Sequence, residues 1–141
     1  ESIGDFAVSI GSTTIDHINY QADPYGDEIE FLSYYTYEPR SRQNMNFNYQ
    51  YEKHQVSVNM TRMGHMNIVR NSTGGTVSNP HIITNVSYAY DFGPDFDTYV
   101  SIRNIDDVMP QKDGGYSYPF FANGYYSAFG RYVTVGLTYR F

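Results

Sequence analysis

The amino-acid sequence predicts an all-β fold built from antiparallel strands. Three observations support this prediction: an aromatic-rich composition, a strict alternation of apolar and polar residues, and connections whose lengths alternate between long and short. Apolar residues make up 40% of the 141-residue chain, and 16 Tyr and 9 Phe account for much of that share. Aromatic side chains fit a pleated, half-buried surface better than a helix. The composition therefore favours strands, and it leaves few aliphatic residues for a conventional core.

The alternation recurs in six segments. Residues 44–51 read NMNFNYQY, with Met or aromatic residues at odd positions and Asn or Gln at even positions. A period of two places one set on each face of a strand. The first strand begins near Phe6, and the pattern predicts that it continues to Tyr20 with a bulge near Gly11. The remaining predicted strands cover residues 55–61, 82–92, 98–104 and 130–141.

The polar face of these strands carries few charged residues. It consists mainly of Asn, Ser, Thr, Gln, Gly and Ala, whereas the solvent face of a soluble sheet normally carries many Lys, Glu and Arg. Such a face suits a wet, partly filled interior, and the opposite face suits hydrocarbon. No segment has the roughly 18 consecutive apolar residues of a membrane-spanning helix, but barrel strands are apolar only at every second residue. We therefore expect an antiparallel transmembrane β-barrel.

The predicted connections alternate between long and short, as they do in outer-membrane barrels. They cover residues 21–38, 52–54, 71–81, 93–97 and 106–129 in turn. If the long connections lie outside the cell, the last strand runs inward. Its twelve residues span roughly 40 Å, or about 28 Å at a tilt near 45°, which matches an outer-membrane apolar band. Tyr139 and Phe141 are then expected to anchor the strand in the periplasmic aromatic girdle, and the aromatic end of the strand resembles the assembly signal of outer-membrane proteins.

The composition also excludes several functions. The net charge is −6 and no run of Lys or Arg is present, so nucleic-acid binding is not expected. The absence of Cys excludes disulfides, thiolate metal sites and a Cys nucleophile. Asp106-Asp107 and the Asp95/Asp97 pair fall in predicted turns, where carboxylates are common. We expect no catalytic residues, no metal site, no cofactor and no enzymatic activity.

Four motifs follow one another along the chain. They are Pro39-Arg40 before the 44–51 strand, the aromatic-rich residues 84–91, the SIRNID segment 101–106, and Tyr125-Tyr126 followed by Gly130-Arg131-Tyr132 and a terminal Tyr139-Arg140-Phe141. In this order they resemble the C-terminal end of a TonB-dependent receptor, whose penultimate strand closes with N-x-N-L-F-D and whose last strand begins with G-R and ends with F. Asp106 stands where that family has Phe.

The resemblance implies a plugged barrel of about 22 strands, of which residues 1–141 would supply the last six as the C-terminal segment of the barrel. The plug domain and the TonB-contacting segment would lie outside this chain. Members of this family sit in the bacterial outer membrane and import scarce nutrients such as ferric siderophores, haem, cobalamin or glycans. The partners it implies are the rest of the barrel and the plug, the TonB complex, outer-membrane lipid and the barrel assembly machinery.

The last long connection contains the richest candidate ligand site. Its aromatic residues lie among glycines, an arrangement that could stack on a ligand captured from outside. Packing within an ordered loop is the structural alternative. The candidates are Tyr116, Tyr118, Phe120, Phe121, Tyr125 and Tyr126. The same two interpretations apply to Tyr34, Tyr35 and Tyr37 in the first long connection.

His81 lies at a junction between a loop and a strand, where a haem or a metal could reach it. No second His or Cys stands at ligand spacing, so the sequence favours a solvated histidine at the rim of the barrel.

Two alternative architectures remain open. A complete eight-stranded outer-membrane barrel would need a bend at Gly11-Ser12 and a further strand over residues 28–37. A soluble, tyrosine-rich β-sandwich that binds glycans belongs to a different class, and it predicts extraction without detergent.

Overall fold

The computed structural model of the protein describes residues 3–30, 32, 38–66, 77–113, 117–118 and 120–141. These residues form an all-β structure. Within them no helix is long and apolar enough to cross a membrane. The strands are β1 (Asp5–Thr14), β2 (Asn19–Tyr20), β3 (Ile29–Glu30), β4 (Ser41–Tyr51), β5 (His54–Met63), β6 (His81–Gly93), β7 (Phe96–Arg103) and β8 (Tyr132–Tyr139).

Six of these strands form one antiparallel sheet in the order β1-β4-β5-β6-β7-β8. The prediction of six alternating strands is confirmed. The strands β2 and β3 pair separately, as a small hairpin inside the connection between β1 and β4. The connections of the large sheet cover residues 15–40, 52–53, 64–80, 94–95 and 104–131. The predicted alternation of long and short connections is therefore confirmed.

The predicted course of the first strand is wrong. The pairing of β1 with β4 is unbroken and sets Gly11 opposite Asn44, so there is no bulge and no bend at this glycine. The strand ends at Thr14, after which the Ile15 N–H donates to the Arg40 carbonyl at 2.9 Å and the chain turns toward the small hairpin. The bend that the eight-stranded alternative needs is absent. Of that alternative's extra strand, Ile29–Glu30 are extended, and residues 31 and 33–37 lie outside the described residues.

The register places the two predicted sets of side chains on opposite faces of the sheet. One apolar row crosses all six strands through Val8, Phe47, Val58, Val86, Ile102 and Val133. The neighbouring row, on the opposite face, runs through Ala7, Asn48, Ser57, Ser87, Ser101 and Thr134. Both rows follow from the shared period of two, because antiparallel pairing in register keeps like faces together.

The apolar face has no second layer among the described residues, since each strand of the large sheet contacts only its sheet neighbours. Ile10 is 76% exposed, Val135 66% and Leu137 69%. The buried apolar residues of the described part lie instead in the connections: Leu32, Met66, Phe121, Ala122 and Tyr126. A soluble sheet normally buries its apolar face against another layer. This face therefore needs a partner other than the described residues.

Tyr99 and Gly136 stand opposite each other on β7 and β8. The Tyr99 ring lies directly over Gly136, where a Cβ atom would collide with the ring carbons. A glycine at this position lets an aromatic ring cover the backbone of the neighbouring strand.

We expect Gly136→Ala to destabilise the sheet by about 1–3 kcal/mol, because the added methyl group overlaps the Tyr99 ring. Unfolding in urea followed by far-UV circular dichroism measures the change. Gly11→Ala is the matched control, since nothing lies within 4 Å of the Cβ position there. The Gly136→Ala loss should shrink when Tyr99 is replaced by Ser. Equal losses of stability in both backgrounds would contradict the inferred overlap between the added methyl group and the Tyr99 ring.

Candidate functional site

Two long connections, residues 64–80 and 104–131, meet at one end of the sheet. The Asn79 N–H donates to Gln111 Oε1 at 3.1 Å. The Tyr126 hydroxyl donates to Met66 Sδ at 3.0 Å. These contacts join the connection before β6 to the connection after β7. We call this end of the sheet the long-connection end.

A small buried cluster holds the two connections together. It consists of Met66, Phe121, Ala122 and Tyr126, with Met63 and Tyr125 packed against it. The Tyr125 and Tyr126 N–H groups both donate to the Ala122 carbonyl at 3.0 Å, which winds the chain into a tight turn. This turn places the Tyr126 ring in the buried cluster.

The predicted ligand-binding aromatics fall into two groups. Phe121 and Tyr126 are 6% and 8% exposed and belong to the buried cluster. Tyr118 and Phe120 are 85% and 47% exposed, with ring centroids 6.1 Å apart. Tyr116, and likewise Tyr34, Tyr35 and Tyr37, lie outside the described residues. The described aromatics thus form a packed core and an exposed pair, and Tyr126 is the member of this set that borders the cavity described next.

A cavity of about 260 Å³ opens beside the cluster, between the two connections. The rings of His81 and Tyr126 line it, with centroids 4.8 Å apart in an edge-to-face arrangement. Its polar lining consists of Ser78, Asn79, Gln111 and Asp113. Asp113 is only 4% exposed and is one of the residues that line the cavity.

The expectation of a solvated His81 is wrong. This residue is 7% exposed, because β6 begins at His81, opposite Met63, and both connections fold over that end of the strand. Its Nε2 atom has no hydrogen-bond partner among the described residues. Most buried side-chain polar atoms in proteins do have such a partner. His81 shares the parity of Asn85, so its side chain belongs to the polar face of the sheet.

A ladder of asparagine side chains crosses the polar face and leads to this site. Asn46 Nδ2 donates to Ser9 Oγ at 3.2 Å, Asn59 Nδ2 donates to Asn46 Oδ1 at 2.6 Å, and Asn85 Nδ2 donates to Asn59 Oδ1 at 3.2 Å. These bonds run in one direction across β1, β4, β5 and β6. Each links residues that stand directly opposite in the register.

Asn104 connects this ladder to the cavity. Its N–H donates to Asn85 Oδ1 at 3.0 Å, directly after the end of β7. Its side chain then closes a short loop, since Asn104 Nδ2 donates to the Val108 carbonyl and the Val108 N–H donates to Asn104 Oδ1. Asn104 has a φ of 52°, in the left-handed region that Asn tolerates better than most residues. Val108 lines the cavity, so the ladder sets the position of one wall.

The surroundings of Tyr125 and Tyr126 in the buried cluster favour the neutral form of both phenols. Burial raises the pKa of Tyr126, and a hydrogen bond with Ser78 opposes this shift. Burial also raises the pKa of Tyr125, the neighbouring Glu38 adds to the shift, and Arg42 opposes it.

The C-terminal residues lie at the opposite end of the sheet. Tyr139 and Phe141 are 66% and 112% exposed, and their ring centroids lie 6.3 Å apart. Arg140 binds the short turn between β6 and β7: its N–H donates to the Asp95 carbonyl at 2.8 Å and its guanidinium pairs with Asp97 at 2.5 Å. The end of the chain is therefore tied to the adjacent short connection.

No group of three or more His, Cys, Asp or Glu side chains suited to a metal ion occurs among the described residues. Sequence analysis also missed the asparagine ladder and the buried Asp113. The alternating Asn residues of β4 were visible in the sequence, but their partners in β5 and β6 depend on the register.

Comparison with known proteins finds no relative of this chain. No family model, no curated protein and no solved structure matches this chain.

We expect Asn59→Ala to destabilise the protein by about 1–3 kcal/mol, because Asn46 Oδ1 and Asn85 Nδ2 both lose their partner on a partly buried face. Chemical denaturation measures the loss. Asn48→Ala is the matched control, since the exposed Asn48 side chain accepts a single bond from Ser57. Similar losses for the two variants would argue against a continuous ladder.

The raised pKa of Tyr126 predicts a pH dependence of stability. The folded pKa lies above that of the unfolded phenol, about 10, so the unfolded chain releases its proton first. The contribution of Tyr126 is complete below about pH 10 and is lost as the pH rises through the folded pKa. Tyr126→Phe should therefore lose less unfolding free energy between pH 9 and 11 than wild type. Tyr118→Phe, which removes an exposed phenol, should follow wild type.

Proposed function

We propose that this chain forms the closing strands of a TonB-dependent receptor in the bacterial outer membrane and helps it to import a scarce nutrient. In this role the sheet seals the barrel wall, and the long connections face the outside and meet the ligand. The proposal extends the resemblance of the terminal motifs to the known family. The six-stranded sheet is its main support. One face of the sheet is apolar, the other is polar, and no second layer covers the apolar face among the described residues.

The lengths of four strands of the sheet agree with this role. Strands β1, β4, β5 and β6 contain 10, 11, 10 and 13 residues. Strands β7 and β8 contain 8 residues each, so the predicted twelve-residue length of the last strand is wrong: it ends at Tyr139, and Arg140 turns to the Asp95 carbonyl. Eleven residues at about 3.3 Å each, tilted by about 45°, cross roughly 26 Å, close to the apolar band of an outer-membrane barrel. The central apolar row carries aliphatic side chains and a single Phe, as expected at the middle of a bilayer.

Aromatic rings concentrate near the short connections. Tyr90 packs against Phe92 with centroids 4.6 Å apart, and Phe92 lies 5.0 Å from Phe96. Tyr88, Tyr139 and Phe141 are exposed toward the same end. Rings at the level of the head groups form the aromatic girdles of membrane barrels. The position of this band supports placing the short connections near one interface of the bilayer.

The two edges of the sheet support a larger assembly. Within the described residues β1 pairs only with β4, and β8 pairs only with β7. A bilayer does not tolerate strand edges with unpaired backbone groups. In the proposed receptor, further strands of the barrel pair with both edges.

The two faces can be tested with a new tryptophan, because the 141 residues contain none. Val58 and Ser57 are neighbours on β5 with side chains on opposite faces. Each is replaced by Trp in the full-length protein, which is reconstituted into vesicles with brominated acyl chains. Relative to the parent protein, the added emission of Val58→Trp should be strongly quenched, and that of Ser57→Trp should not.

Absence of quenching in both variants would contradict membrane insertion and favour a soluble sheet.

The mass of the intact polypeptide separates the large receptor from a small barrel. We expect a mass well above 16.2 kDa, the mass of residues 1–141. A single species of 16.2 kDa, purified without a partner fragment, would rule out the receptor.

A further inference from the structure

A groove of about 400 Å³ crosses the apolar face near the long-connection end of the sheet. Part of its lining is a row of apolar side chains, in which Ile10, Met45 and Met60 stand opposite one another on β1, β4 and β5. Ile10 is 76% exposed, and Ile82, which also lines the groove, is 41% exposed. Methionine side chains adapt to the shape of a flexible apolar partner. This row therefore suits a hydrocarbon chain.

A row of hydrogen-bonding side chains borders the groove on the side of the long connections. Ser12, Gln43 and Arg62 stand opposite one another in the register, one row beyond the apolar row on the same face. Arg62 Nη1 donates to Gln43 Oε1 at 3.3 Å. A guanidinium carries five N–H donors, so this bond occupies one of them. The outer border of the groove thus presents donors to a ligand.

The charge of this border is positive. Within the six described strands of the large sheet, Arg62 is the only Lys, Arg, Asp or Glu residue on the apolar face. The acidic residues of these strands, Asp5, Asp91 and Asp97, share the parity of the polar face. No described carboxylate forms a salt bridge with Arg62. The groove therefore joins an apolar surface to a positive charge that has no ion-pair partner among the described residues.

The position of Arg62 fits the boundary between hydrocarbon and head groups in the proposed membrane orientation. Arg62 follows Val58 of the central apolar row by four residues. This separation is roughly 13 Å along the strand, or about 9 Å along the membrane normal at a tilt near 45°. The apolar band of such a barrel is about 25 Å tall, so its edge lies about 12 Å from the middle. A long arginine side chain spans the remaining distance to the head groups.

The two parts of the groove together select the kind of ligand. A free phosphate would bind the guanidinium but leave the apolar row uncovered. A lipid without net charge would cover the apolar row but leave the guanidinium without a counter-charge. An anionic lipid satisfies both parts, because a phosphate oxygen pair matches the fork of N–H groups on arginine.

We propose that this groove binds a lipid whose phosphate-bearing head group has a net negative charge, with an acyl chain on the apolar row and the phosphate on Arg62. The Ser12 hydroxyl and the Gln43 amide nitrogen are further donors beside the phosphate. The inference rests on the proposed function in one respect: it takes the apolar face to lie against lipid. It does not depend on the imported nutrient or on the number of strands in the barrel.

Tryptophan quenching by brominated lipids tests the inference in the full-length protein. Thr84 stands opposite Met60 on the apolar face but does not line the groove, so Thr84→Trp reports on lipid beside it. The protein is reconstituted into mixed vesicles of phosphatidylglycerol, which is anionic, and phosphatidylcholine, which has no net charge. One of the two lipids carries bromine in each experiment, and the emission of the parent protein is subtracted.

The reporter should show an apparent affinity about fivefold higher for phosphatidylglycerol than for phosphatidylcholine, because one arginine near the membrane surface attracts an anionic lipid by that factor. Equal affinities for the two lipids would overturn the inference.

Variants of Arg62 connect this preference to the groove. Arg62→Gln removes the charge, and the preference should disappear. Arg62→Lys keeps the charge without the fork of donors and should retain part of the preference. Arg103→Gln is the matched control, because Arg103 lies over the Tyr132 ring on the polar face and its loss should leave the preference unchanged. Equal effects of Arg62→Gln and Arg103→Gln, in proteins with the same circular dichroism spectrum, would overturn the assignment.

A soluble phosphate separates a lipid site from a simple anion site. Glycerol 3-phosphate carries the phosphate but no acyl chain. At constant ionic strength it should leave the preference for phosphatidylglycerol unchanged. Its ability to abolish that preference would show an anion site without a bound chain and would overturn the inference.

This inference and the proposed function fail in different ways. Absence of quenching at Val58→Trp would remove the membrane role and the lipid site with it. Strong quenching at both Val58→Trp and Thr84→Trp, without a preference for the anionic lipid, would leave the receptor and remove this site. A preference that depends on Arg62 in a barrel of 16.2 kDa would remove the receptor and keep the site.

Discussion

The asparagine ladder on the polar face is the interaction on which the rest of the structure depends. Four side-chain and backbone bonds, from Ser9 to Asn104, cross the sheet in one direction. A slip of one residue in any strand pair would turn the asparagines to the opposite face and break the ladder. The ladder therefore makes the register of β1, β4, β5 and β6 specific, and with it the continuity of both faces.

The ladder also links the sheet to the loops. Its last bond ends on the Asn104 N–H, and the Asn104 side chain fixes Val108 at the cavity wall. The buried cluster around Tyr126 completes the other side. The walls of the cavity are thus held by the sheet, through Asn104, and by the small buried cluster, and not by the loops alone. His81 and Asp113 are both buried at this end of the sheet.

Several features were predictable from the sequence, because they rest on local periodicity. The strands and the alternating connections follow from a period of two and from the turn-forming residues between the strands. The course of residues 11–20 was not predictable, because Gly11 gives the same local signal in a bulge and in a regular edge strand. Its pairing with Asn44 decides between them. The aromatic residues of the last connection were found from composition, but which of them are buried depends on contacts with Met66.

The sequence by itself determined a six-stranded antiparallel sheet with two chemically different faces, since side-chain alternation is a property of each strand alone. Only the tertiary structure decided the environment of His81, the burial of Asp113 and the route of the asparagine ladder. The physical reason is that burial and hydrogen bonding at these positions arise between residues far apart in the chain. Asn59 and Asn85, for example, are 26 residues apart and meet only when β5 and β6 pair in register.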